Sequence, residues 1–236
     1  LNMKHLAKSF PDTPFGFFAK GYLNFTSNNF QQCLDDLENA IKLNKENYNY
    51  LNQESYYYKG ICNHDLKKYD LAIADYSKSI TFDDGSKIGE TYIFALAERS
   101  LTKSILKNFD SARNDINIAI QTLEKNNLLK TYSDLGKLYF DRFKINLTSE
   151  KYDDALKDCD EIILKSKQKD LGYYYRGQIK HKVKKDLKGG YSDYLRALKE
   201  NPNSFSAIAS ILLILNANKE YEKIVWDNRL ANRQKN

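Results

Sequence analysis

The chain has 236 residues and carries 37 Lys and Arg against 31 Asp and Glu, for a net charge of +6. Only 10 Gly and 3 Pro are present, far fewer than the average usage of about 12%. That excludes collagen-like and elastic chains and argues against an all-β sandwich, whose many turns demand these residues. With 42% hydrophobic residues, 18 Tyr and 12 Phe, the chain is too aromatic to be disordered and long enough to bury a core in one or two domains.

Residues 1–13 precede the first periodic pattern and read as an N-terminal extension or cap. Further on, two segments are near copies of one another: Tyr56-Tyr57-Tyr58-Lys59-Gly60 and Tyr173-Tyr174-Tyr175-Arg176-Gly177. Each leads into a helical pattern, a short polar turn and a second helical pattern, and such self-similarity marks a repeat architecture. The pattern resembles the tetratricopeptide repeat, a unit of about 34 residues with two helices, A and B. In that family, positions 8, 20 and 27 are small, 17 is aromatic and 24 is large. Small residues let the two helices approach where they cross, and the large ones fill the space left over.

In chain order, unit 1 places Gly21, Phe30, Cys33, Leu37 and Ala40 at positions 8, 17, 20, 24 and 27. Unit 2 places Gly60, Tyr69, Ala72, Tyr76 and Ser79 there, and unit 3 Ser100, Phe109, Ala112, Ile116 and Ala119. Unit 4 has Phe143, Tyr152, Ala155, Cys159 and Ile162; Phe143 breaks the rule for position 8, so a splayed unit or a shifted register is expected there. Unit 5 has Gly177, then one inserted residue, then Leu187, Gly190, Tyr194 and Ala197, with Pro202 closing it. The polar segments 44–52, 82–89 and 125–130 fit longer connections or extended helices. Residues 14–202 therefore read as five units, and 203–236 as a degenerate sixth with a polar C-terminal cap, its helices near Ser204–Asn216 and Tyr221–Asn232. The resemblance implies an all-α, right-handed superhelical solenoid of antiparallel helix pairs, about six units and twelve helices.

Position 7, usually apolar in the family, is basic in all five units: Lys20, Lys59, Arg99, Arg142 and Arg176. Position 23 is Asp in all five: Asp36, Asp75, Asp115, Asp158 and Asp193. A cation beside the helix crossing needs a partner, so the matched spacing predicts an ion pair inside each unit.

No phosphate-binding glycine loop, zinc-protease motif or nucleophile elbow is present, and nothing argues for an enzyme, a cofactor or a metal. Cys33, Cys62 and Cys159 show no metal spacing and read as three small buried thiols, which favours a reducing, cytoplasmic setting. No apolar run is long enough to span a bilayer. The densest basic stretch runs from Lys180 to Lys188, a solvated helix end or an acidic partner's landing surface.

The resemblance implies that positions 2, 5, 9 and 12 of the A helices line a concave groove. These positions supply the candidate peptide-binding residues Phe15, Phe18, Tyr22 and Phe25 in unit 1, Tyr57, Ile61 and His64 in unit 2, and Phe94 and Leu101 in unit 3. Units 4 and 5 add Phe140, Lys144, Tyr174, Gln178 and His181. The Lys, Asn and Arg clamp with which some members hold acidic chaperone tails would fall on Phe18, Tyr22, Tyr58, Phe94 and Glu98, none of which matches. The expected function is a non-catalytic scaffold whose groove takes a peptide or partner helix, with an apolar or aromatic segment as ligand. The aromatic row of unit 1 is either open to that ligand or filled by residues 1–13 or by neighbouring units. The alternatives are a nucleic-acid-associated helical repeat using the Lys180–Lys188 stretch, and an assembly factor of a membrane-associated complex.

Overall fold

A computed structural model describes residues 2–46, 48–82, 89–125 and 135–217. Among the described residues there are twelve α-helices and no strand, which is the all-α class the repeats predict. The chain divides into two compact units, Leu1–Ser133 and Asp134–Asn236. The first holds α1 (Met3–Ser9), α2 (Pro14–Thr26), α3 (Phe30–Leu43), α4 (Asn49–Asp65), α5 (Tyr69–Thr81), α6 (Glu90–Ile105) and α7 (Phe109–Lys125). The second holds α8 (Leu135–Thr148), α9 (Tyr152–Lys165), α10 (Lys169–Gln178), α11 (Leu187–Glu200) and α12 (Phe205–Ala217). The expected helix near Tyr221–Asn232 lies outside the described residues.

Helices pack in sequence order as antiparallel hairpins: α2 with α3, α4 with α5 and α6 with α7 in the first unit, α8 with α9 and α10 with α11 in the second. In the first unit, alternate helices also touch, α2 with α4 and α4 with α6, so the A helices form one layer there. α1 packs on α2, and Met3 reaches the core cluster of Phe18, Cys33, Leu37, Ala40, Leu51 and Cys62.

The crossing rule has a direct steric cause. A Cβ at Gly60 would sit 2.5 Å from the Tyr76 ring, and one at Gly177 would sit 2.9 Å from the Tyr194 ring. Position 8 must be glycine there because position 24 is a tyrosine. In unit 4 the sizes are exchanged: Phe143 occupies position 8 and Cys159 position 24, and both are buried. The hairpin is not splayed and its register is not shifted, because Arg142 still reaches Asp158 sixteen residues on. Volume is conserved across the pair, and packing density is kept.

Each A helix ends in the same turn. Asn28, Lys67, Lys107, Glu150 and Lys185 all take a left-handed conformation, with φ of 59–60°. The next N–H closes back on the helix, as in Asn29 to Asn24 O at 2.8 Å and Lys68 to Asn63 O at 2.8 Å, a six-residue closure typical of helix C-termini. In the fifth hairpin the closing bond runs from Asp186 to Lys180 O, one residue longer. The extra residue is absorbed by a π turn over Ile179–Val183, where Lys184 N–H bonds Ile179 O at 3.0 Å. That is where the inserted residue went.

One expectation is overturned. Cys33 and Cys62 are paired as a disulfide joining α3 to α4, and Cys159 is the free cysteine. Both partners are fully buried and lie 29 residues apart, where neighbouring hairpins meet. The reading of three free thiols fails, and the inference of a reducing compartment loses its support.

Candidate functional site

Charged rows tie each A helix to the B helix of its own hairpin. Arg99 grips Asp115 with two nitrogens at 2.8 Å. Arg142 contacts Asp158 at 2.8 and 2.7 Å, and Arg176 grips Asp193 at 2.9 and 2.6 Å. Lys59 lies 3.9 Å from Asp75. Unit 1 departs from the pattern: Lys20 donates to Pro11 O at 2.8 Å and lies over the Phe17 ring, while Asp36 takes Asn24 instead. The turn after α1 brings a carbonyl within reach of Lys20, and the lysine goes there.

Two further features of these rows are absent from the reading of the sequence. Every position-23 Asp also accepts from position 11, one turn beyond the cation: Asn24, Asn63, Lys103, Asn146 and Lys180, all at 2.7–2.8 Å. A side-chain N–H donor in all five units was the available signal. In addition, the position-7 cation reaches back to position 25 of the preceding B helix: Lys59 to Glu38, Arg99 to Ser77 at 2.9 Å and Arg176 to Asp160 at 2.5 Å. The row therefore ties hairpin to hairpin as well as helix to helix. Its electrostatics differ by unit. Burial pushes Asp158 above the usual carboxylate range despite Arg142 and Asn146. Burial acts in the same direction on Asp193, but the hydrogen bonds from Arg176 and Lys180 outweigh it and hold that carboxyl below the range. Both groups are bound into the scaffold.

The two tyrosine triplets perform the same three tasks. The first ring carries cations: Lys59 and Lys78 lie over Tyr56, Arg176 and Arg196 over Tyr173. The second ring meets the large residue at position 24, Tyr57 on Tyr76 and Tyr174 on Tyr194. The third reaches the previous A helix, Tyr58 to Tyr22 and Phe25 at 5.3 Å, and Tyr175 to Phe140 and Phe143 at 5.4 and 4.9 Å. Offset and edge geometries of this kind contribute about 0.5–1.5 kcal/mol per pair beyond burial.

Within the first unit, the candidate groove residues separate by burial. Phe18 is 7% exposed and belongs to the core, covered by Tyr58 at 6.1 Å. Phe15 is exposed, with its ring on Tyr48. Tyr22, Phe25, Tyr57, Ile61, Phe94 and Leu101 are half-buried, and Tyr57 stacks on Phe94 with centroids 6.2 Å apart. His64 is held by the Thr102 hydroxyl at 2.8 Å and by the Tyr69 ring. Much of the filling comes from Tyr58, which the position rules do not assign to the groove.

In the second unit, Phe140 is half-buried on Phe143. Lys144 is exposed, pairs with Asp141 at 2.7 Å and lies over Phe140. Gln178 donates to the Tyr174 hydroxyl at 2.6 Å. His181 packs on Tyr194, and its Nδ1 is buried without a hydrogen-bond partner. Burial, then Lys182 and Lys185, hold its pKa below the ordinary value. A cleft of about 210 Å³ is lined by Lys137, Phe140, Ile162 and Leu171 among others. A smaller one of about 100 Å³, beside the π turn, is lined by Phe143, Leu147, Tyr175 and Val183 among others. The basic stretch is partly spent inside the fold: Lys180 pairs with Asp193, Lys184 with Asp153, and Lys185 donates to Lys182 O. No described helix is long and apolar enough to cross a membrane.

The sequence matches no family model and no curated protein. Solved structures do match. MamA is 15% identical with a TM-score of 0.64, over 82% of this chain and 94% of that one. YrrB, described as a TPR protein with an unusual peptide-binding site, is 13% identical with a TM-score of 0.61, over 89% and 97%. A tetratricopeptide repeat protein from Parabacteroides merdae ATCC 43184 is 16% identical with a TM-score of 0.53, over 90% and 75%. At these identities the shared property is the fold.

Proposed function

For a chain folded as a tetratricopeptide-repeat protein, we propose that its role is that of a non-catalytic interaction scaffold, binding an extended peptide or a partner helix on the layer of A helices. The observation that carries the reading is the half-buried aromatic row Tyr22, Phe25, Tyr57 and Phe94 on α2, α4 and α6. The position rules of the repeat assign such side chains to the groove, and aromatic residues dominate binding hot spots, at about 2 kcal/mol or more each when truncated. A peptide-binding site on YrrB, a structural neighbour, supports the same reading. The ligand is an apolar or aromatic segment, because the positions of the chaperone-tail clamp hold Phe18, Tyr22, Tyr58, Phe94 and Glu98. Nucleic acid is disfavoured by the lysines already committed to Asp193 and Asp153. The test is a peptide selected against the intact chain and mapped by backbone amide shifts. Shifts concentrated on α2, α4 and α6 support the proposal, and shifts confined to α3, α5 and α7 reject it.

A further inference from the structure

Glu54 stands in the middle of that same layer. Tyr50, Glu54 and Tyr58 are four residues apart along α4, so they form one stripe on its surface. Tyr50, at one end, is 70% exposed. Tyr58, at the other, is wedged edge-on against Tyr22 at 5.3 Å and against Phe25. From the neighbouring A helix, Thr91 donates its hydroxyl proton to the Glu54 carboxylate.

That single neutral donor leaves the carboxylate underserved. An ionised carboxylate offers about four acceptor sites, and a half-buried one needs a compensating charge. Among the described residues, no cation lies within ion-pair distance of it; burial and the Thr91 hydroxyl are what bear on its ionisation, and burial holds the carboxyl above the usual range. Nearby basic side chains on the A helices are committed elsewhere, Lys59 to Glu38 and Arg99 to Asp115 and Ser77. Four of the five buried ladder aspartates, Asp75, Asp115, Asp158 and Asp193, have a cation within ion-pair distance. A negative group without a cation, set between two tyrosines on the surface assigned to the ligand, is complementary to a positive side chain. The exposed Tyr50 ring adds attraction to a cation over its face, and a guanidinium also matches a carboxylate with two parallel hydrogen bonds.

We propose that Glu54, flanked by Tyr50 and Tyr58, receives a basic side chain of the bound segment, arginine in preference to lysine. The inference rests on the groove reading and narrows its ligand to an aromatic segment that carries a cation.

The probes are two amidated tripeptides, acetyl-Phe-Arg-Phe and its citrulline counterpart, which has nearly the same shape and no charge. Each is titrated into the intact chain and followed by amide shifts. The expected result is at least fivefold tighter binding of the arginine peptide, with shifts at Tyr50, Glu54 and Thr91. That preference should vanish in Glu54→Gln, which keeps the acceptor for Thr91, while the citrulline peptide binds both proteins equally. Tyr50→Leu, at an exposed position that leaves folding intact, should reduce the preference about two- to threefold. Equal binding of the two peptides by the unmodified protein, or a preference that persists in Glu54→Gln, overturns the inference and leaves the groove standing. Binding of neither peptide on α2, α4 and α6 overturns the groove and this inference together.

Discussion

The position-23 aspartates join helix A to helix B in all five hairpins, but not with the same partners. Asp115 is 2% exposed and receives Arg99 and Lys103, whereas Asp36 receives only the amide of Asn24. Removing one partner of a buried pair leaves an uncompensated charge, and removing the acceptor of an amide leaves an unmet hydrogen bond. Asp115→Ala should therefore cost about 3 kcal/mol or more, and Asp36→Ala only about 1–2 kcal/mol. Urea unfolding with an unchanged slope would register the difference, and equal losses would mean that the pairs are surface decoration. The pairing of position 7 with position 23 was legible because one spacing recurs. The fate of Lys20 was not, because it depends on where a carbonyl in the preceding turn falls. Nor does the donor at position 11 stand out in the sequence, although Asn, Asn, Lys, Asn and Lys stand there in order. The pattern is chemical rather than a repeated residue type.

At the level of helices, repeat spacing located the hairpins but not their adjustments. The seventeen-residue separation in unit 5 revealed an insertion, and a π turn over Ile179–Val183 absorbs it without disturbing Arg176 and Asp193. Phe143 violates the rule only if position 8 is taken alone; together with Cys159 at position 24 it is an exchange of volumes. The Cys33–Cys62 disulfide left no mark in the sequence, since neither cysteine belongs to a motif and their partnership depends on α3 meeting α4. Closing a loop of this length restricts the unfolded chain by about 3–4 kcal/mol in the chain-entropy estimate. Cys33→Ala/Cys62→Ala should therefore lower stability by about 2–4 kcal/mol, and reduction of the unmodified protein should approach the same value. A thiol titration that finds three reactive sulfhydryls in the unfolded, unreduced chain would contradict the pairing.

Across the molecule, two compact units each carry an aromatic system organised by a tyrosine triplet. The resemblance to the repeat implies which positions of the A helices face the groove. It could not reveal what covers them: Phe18 sits at a groove position and is core, because Tyr58 and the α1 residue Met3 close over that cluster. The residues that remain half-buried, Tyr22, Phe25, Tyr57 and Phe94, are the surface on which the functional reading depends. That reading is tested most directly by the affinity of a selected aromatic peptide for Tyr57→Ala/Phe94→Ala, with circular dichroism recorded on the same samples. The account predicts unchanged helical content and at least tenfold weaker binding, about 1.4 kcal/mol or more. Undiminished binding by a fully helical double variant would contradict it.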